Sequence, residues 1–124
     1  MKPKRALLIV GHGSKQRGFQ AAMEKVAKKL RQTREFDWVL CAYLEVTPPL
    51  IPQAIDLCAR KGAKEISVLP YFLLTGLHVT VDIPEIIAAA KKKYRGQVKI
   101  RLCPYLGYDD RIVEVVRRRI HEGR

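Results

Sequence analysis

The sequence predicts one small α/β domain, a doubly wound parallel sheet of four strands with helices on both faces. Three observations predict it. Four strand-length apolar runs alternate with four stretches of helical spacing, and strands separated by helices of that length are joined by crossovers, which make parallel sheets. The first run, "ALLIV", is apolar at every position, as a strand buried on both faces requires. The chain has 124 residues, enough for one ordinary domain and too few for two. Residues 1–124 therefore read as a single unit, with no linker, low-complexity tract or clear repeat.

Arg5–Val10 is the first strand. Phe19, Ala22, Met23, Val26 and Leu30 then recur at helical spacing. Trp38–Tyr43 is the second strand. In "VTPPLIPQAIDLCARKG" the prolines stand at a helix entrance, where a missing N–H is harmless. Ile51, Ala54, Ile55 and Cys58 mark that helix's inner face, and Gly62 is suited to end it in the left-handed conformation. "EISVLPYFLL" is the third strand, interrupted at Pro70, with the loop "TGLHVTV" behind it. Asp82, Pro84 and Glu85 form a helix start resembling a capping box, and Ile83, Ile86, Ile87, Ala90 and Tyr94 continue on one face. Val98–Leu102 is the fourth strand, "CPYLGYDD" a loop, and Arg111–Glu122 a last amphipathic helix.

Composition narrows the class. A hydrophobic share of 48% supports a packed core, and a domain of this size buries roughly two-thirds of its unfolded surface without disulfides. No apolar run approaches the ~20 residues that span a membrane. "MKPKR" leads straight into a strand with no signal-peptide core, so a soluble cytoplasmic protein is expected. Cys41, Cys58 and Cys103 form no C-x-x-C pair; they read as buried reduced thiols. The net charge of +12 favours a polyanionic partner: nucleic acid, an anionic membrane, or a small polycarboxylate or phosphate. Much of that charge lies on helix faces such as "KVAKKLRQTR" and "VVRRRIHEGR", so it names no partner by itself.

The histidines are more specific. Of three, His121 belongs to the basic last helix and reads as a surface residue. His12, in "LLIVGHGS", directly follows the first strand, and His78 follows the third. Both emerge at the carboxyl edge of the sheet, where open α/β folds bind ligands at the point of strand-order reversal. A strand order of 2-1-3-4 makes their loops neighbours across one crevice. Two neutral imidazoles there can hold a first-row divalent metal and leave coordination positions open for a substrate. Glu45, at the end of the second strand, can add a carboxylate at the same edge. Gly11 and Gly13 permit close backbone approach, the turn's N–H groups welcome an anion, and Ser14 can donate a hydrogen bond.

"LLIVGHGS", "YLEVTPPLIPQAI" and "LPYFLLTGLHVTVDIPEII" together resemble the short sirohydrochlorin cobaltochelatases, half-length members of the class II tetrapyrrole chelatases. The most specific elements are the G-H-G-S turn and "GLHVTVDIP", and the resemblance covers nearly the whole chain. It implies a chelatase-like half unit with His12 and His78 as the metal-binding and catalytic pair. It also implies an active homodimer, sirohydrochlorin as substrate, and Co2+ inserted on the anaerobic-type route to cobalamin. Relatives insert iron for siroheme or nickel for coenzyme F430. No cofactor beyond the metal substrate is implied, and neither nucleic acid nor membrane is a partner. Glu45 or one of the imidazoles is the candidate for taking up the pyrrole protons. Lys15 and Arg17 are candidates for the substrate carboxylates, and Gly11, Gly13, Ser14, Gly76 and Leu77 for lining the bound macrocycle.

Two other readings compete. Histidine phosphatases also carry a histidine after their first strand, but their motif puts an arginine before it, where this chain has Gly11. A basic nucleic-acid-binding module would account for the charge, yet aromatic residues are only 7% and no recognition signature or stacking cluster is present.

Overall fold

The computed structural model describes residues 2–123. Four strands, β1 (Arg5–Gly11), β2 (Trp38–Tyr43), β3 (Glu65–Pro70) and β4 (Lys99–Leu102), alternate with α1 (Ala21–Gln32), α2 (Ile51–Lys61), α3 (Ile83–Tyr94) and α4 (Asp110–Glu122). A π-helical turn, His78–Asp82, runs directly into α3. All strand pairs are parallel, in the order β2-β1-β3-β4. Leu8 of β1 lies between Leu40 of β2 and Val68 of β3. The reversal of strand order therefore falls between β1 and β3, the condition under which the His12 and His78 loops are neighbours.

Alternation along the strands feeds two cores. Ala6, Leu8, Val10, Ile66, Val68 and Ile100 pack beneath α2 and α3, against Ile51, Ile55, Cys58, Ile83 and Ile87. Leu7, Ile9, Val39 and Cys41 face the other way and are covered by Met23 and Ala27 of α1. Each fully buried leucine or isoleucine contributes about 1.5–3 kcal/mol, which explains why β1, central and apolar on both faces, anchors the sheet. Helix α2 starts as expected, with Pro52 in its first turn and Gln53 Oε1 accepting the Leu50 N–H at 2.9 Å. It ends at Gly62, whose φ is +110°.

Some expectations change. Asp82 makes no capping hydrogen bond with its side chain and already has helical dihedrals, φ −64° and ψ −49°. Its carboxylate turns back to His78 instead, so no capping box forms. Cys41 and Cys58 are buried and free, but Cys103 is only partly buried. Burial pushes the Cys41 thiol up to about 12 and the Cys58 thiol up to about 11, so both stay protonated. The last helix is the larger departure. Helices α1, α2 and α3 each bury residues against the sheet, yet no residue of α4 is buried. Val116 is 50% and Ile120 67% exposed, beside Val113 and Val115. His121 is exposed, as expected. Among the described residues, no helix is long and apolar enough to cross a membrane.

Candidate metal centre

The carboxyl edge of the sheet is assembled by hydrogen bonds that prolong the parallel ladders into the loops. Leu44 N–H donates to the Gly11 carbonyl at 3.0 Å and Glu45 N–H to the His12 carbonyl at 3.2 Å. On the other side of β1, Tyr71 N–H donates to the Val10 carbonyl at 2.8 Å. The loops behind β1, β2 and β3 are thus zipped side by side, and His12, Glu45 and His78 come to one place.

Two backbone positions make this packing possible. Gly13 has φ +101°, and a Cβ added there would overlap the Glu45 carbonyl oxygen. Val46, a β-branched residue, sits at φ +69°, inside a three-residue turn closed by Thr47 N–H on the Glu45 carbonyl at 2.7 Å. Such a conformation is strained for valine and persists only where its surroundings enforce it. The brace is Thr47, whose hydroxyl donates to the Ser14 carbonyl at 3.0 Å and accepts from Ser14 N–H at 3.2 Å.

His12 Nε2 and His78 Nε2 are 3.0 Å apart, with ring centroids 4.5 Å apart and planes inclined at 68°. The partner of each Nδ1 decides what the facing nitrogens carry. His78 Nδ1–H donates to Asp82 Oδ2 at 2.8 Å, and His12 Nδ1–H donates to the Gly13 carbonyl at 3.2 Å. Carbonyls and carboxylates only accept, so where both Nδ1 atoms donate in this way both Nε2 atoms present lone pairs. Glu45 Oε1 adds a third lone-pair atom, 3.2 Å from His12 Nε2. Facing lone pairs at that separation repel unless a positive charge lies between them. A proton or a metal ion supplies it. Two nitrogens each about 2.1 Å from one metal and at right angles around it stand about 3.0 Å apart, which is the spacing observed.

The site is open. Among the described residues, no three His, Cys, Asp or Glu side chains close on one point as a cage would; Glu45 touches only one of the two nitrogens. The side chains of His12, His78, Glu45 and Asp82 are 47%, 46%, 56% and 45% exposed. The expected crevice is better described as an exposed edge. A cavity of about 520 Å³ lies elsewhere, between Tyr71, Leu73 and Leu106 and the Ile112–Val115 face of α4, and includes neither histidine.

The other expected site residues divide. Gly11 is buried, and its missing Cβ makes room for the Met23 sulfur; the close approach at both glycines is to the chain's own atoms. Helix α1 begins only at Ala21, so its N-terminal N–H groups do not serve the Gly13 turn. Ser14 Oγ accepts the Gln16 N–H at 3.0 Å, which leaves its own hydrogen free to donate. Lys15 and Arg17 are exposed and, among the described residues, form no ion pair. Gly76 and Leu77 are exposed on the approach to His78. Asp82 is the residue the sequence reading missed. Its signal is the His78-x-x-x-Asp82 spacing, which puts both side chains on one side of a helical turn.

Known proteins carry the same arrangement of chain. Residues 6–123 match the CbiX family model. A chloroplastic sirohydrochlorin ferrochelatase of Arabidopsis thaliana is 34% identical over 92% of this chain and 50% of its own length. A sirohydrochlorin cobaltochelatase of Methanocaldococcus jannaschii is 30% identical over 90% of this chain and 94% of its own. Among solved structures, the sirohydrochlorin chelatase SirB of Bacillus subtilis subspecies spizizenii, in complex with cobalt, superposes with a TM-score of 0.86 at 31% identity, over 96% of this chain and 50% of SirB. The chain thus spans about half the length of the plant enzyme and of SirB, and nearly all of the archaeal one. With the fold, the paired histidines and the match over residues 6–123 in agreement, the chain belongs to the CbiX family.

Proposed function

We propose that this protein is a sirohydrochlorin cobaltochelatase, in which His12 and His78 hold Co2+ and present it to one face of the macrocycle. The observation that carries the reading is the 3.0 Å approach of two Nε2 atoms whose protons are directed to Nδ1. Cobalt is favoured over iron or nickel because the relatives matched along nearly their whole length, from Methanocaldococcus jannaschii and Saccharolobus islandicus, are cobaltochelatases.

Insertion moves the metal from imidazole nitrogens to macrocycle nitrogens, and two pyrrole protons leave as the dication enters. Oxidation states do not change, so no cofactor beyond the metal is required. A half-filled coordination shell suits this exchange, because ligands are swapped one at a time and a closed cage would retain the ion. Glu45 and the two imidazoles that the metal vacates take up the protons. Sirohydrochlorin is flat and rich in carboxylates. Exposed Val46 beside Glu45, and Leu74, Leu77 and Val81 around His78, offer its face apolar contact. Lys15, Arg17 and the net charge of +12 attract its rim.

The working unit is a homodimer. SirB carries twice this length in one chain, one open edge leaves a broad macrocycle half uncovered, and Val113, Val115, Val116 and Ile120 of α4 are exposed. Free Cys41, Cys58 and Cys103 suit the reducing cytoplasm. The test is spectroscopic: sirohydrochlorin is offered Co2+, Fe2+ and Ni2+ in turn, and the macrocycle absorption is followed. Fastest conversion is expected with Co2+; no conversion with any of them refutes the reading.

A further inference from the structure

We propose that Asp82 is a positioning residue of this site, holding the His78 ring so that its Nε2 lone pair faces His12. The inference rests on the reading of His78 as a metal ligand and adds a residue to it.

The turn around His78 is built for this contact. Ile83 N–H reaches back to the His78 carbonyl, closing the π-helical turn; such turns are uncommon and concentrate at functional sites. Its base is held by the Gly76 carbonyl, which accepts from Val79 N–H at 3.1 Å, Thr80 N–H at 2.9 Å and the Thr80 hydroxyl at 3.0 Å. Asp82 stands where a helix start would profit from a capping carboxylate, and it caps nothing. It takes the His78 Nδ1–H at 2.8 Å instead. Both side chains are nearly half exposed, and an exposed polar contact of this kind adds little stability. Stability therefore does not explain the choice.

Ligand geometry does. An ionised carboxylate can only accept, so it selects the tautomer with hydrogen on Nδ1 and leaves Nε2 free to ligate. It also restricts rotation of the ring and makes the ligating nitrogen a stronger donor. His12 has a weaker arrangement, a neutral carbonyl at 3.2 Å from the adjacent residue. Asp82 thus makes His78 the more firmly set of the two ligands.

The test uses the purified chain and CoCl2 without tetrapyrrole, following the visible absorption of bound Co2+. Asp82→Ala is expected to weaken Co2+ binding about 10–100-fold, with the far-UV dichroism and thermal midpoint of the parent. Asp82→Asn, which keeps an acceptor oxygen and the shape, is expected to fall between the two and serves if the alanine variant does not fold. Parental Co2+ affinity in a folded Asp82→Ala variant, or in Asp82→Asn where the alanine variant fails, overturns the proposal. His78→Ala separates this from the underlying reading: it must lose Co2+, and if it does not, His78 is no ligand whatever Asp82 does.

Discussion

His12 Nε2 lies 3.0 Å from His78 Nε2, across 66 positions of sequence. The parallel pairing of β1 with β3 brings those loops together, and a cation shared between the rings satisfies both lone pairs. Replacing either ring by alanine should lower the rate of Co2+ insertion at least about 100-fold. Both rings are nearly half exposed, so stability should stay within about 0.5 kcal/mol of the parent. Single-turnover insertion with urea unfolding on the same samples checks both halves. Near-parental turnover in either variant contradicts the assignment.

Gly13 is a structural keystone for Glu45. Gly13→Ala places a Cβ against the Glu45 carbonyl at a φ of +101°. The left-handed conformation and the overlap together should cost about 2 kcal/mol or more. Because the displaced segment carries Glu45, insertion should slow as well. Urea unfolding measures the first effect; an unchanged midpoint would mean that the two loops are not packed as described.

Asp56 ties α2 to α3. Its carboxylate accepts from the Tyr94 hydroxyl and from Lys93 Nζ, and those two hydrogen bonds, Tyr94's first, hold its pKa below the ordinary carboxylate value. Burial, then the Asp56 hydrogen bond, push the Tyr94 phenol up to about 12. A carboxyl depressed in the folded state stabilises fully above its unfolded pKa of about 3.9 and loses that contribution as pH falls through the lower folded value. Asp56→Asn should therefore be less stable than the parent at pH 7 and pH 5, with the gap narrowing below pH 4. Denaturant unfolding across that range checks it, and a gap that is constant down to pH 2 contradicts the coupling.

Much of this was legible in the sequence, for physical reasons. A strand buried on both faces cannot alternate, so "ALLIV" declared its place, and helices between such strands left little choice of topology. Topology in turn made neighbours of His12 and His78 without any local motif linking them. Asp82 was misread because D-I-P-E has the residues of a helix cap. Whether such a carboxylate turns to a backbone N–H or to an imidazole four residues earlier depends on the π-helical turn, which spacing does not encode. The separation of α4 was hidden in the same way, since amphipathicity shows that a face will be buried but not against what. Cys103 shares its residue type with Cys41 and Cys58 but lies beyond the end of β4, where less of the chain covers it.

The exposed apolar residues of α4 carry their own prediction. Val116→Glu and Ile120→Glu alter residues that are 50% and 67% exposed, so each variant should fold as the parent does. If that face meets a second copy, sedimentation equilibrium should show the parent at twice the chain mass and the variants shifted towards one. An equal mass for parent and variants contradicts the role given to α4.

The central claim is that one metal ion sits between the two facing imidazoles. Diffraction from crystals soaked in Co2+, collected at the cobalt absorption edge, tests it directly. The expected result is a single strong anomalous peak about 2.1 Å from both His12 Nε2 and His78 Nε2. Cobalt bound elsewhere on the chain, with those two rings unoccupied, would contradict it.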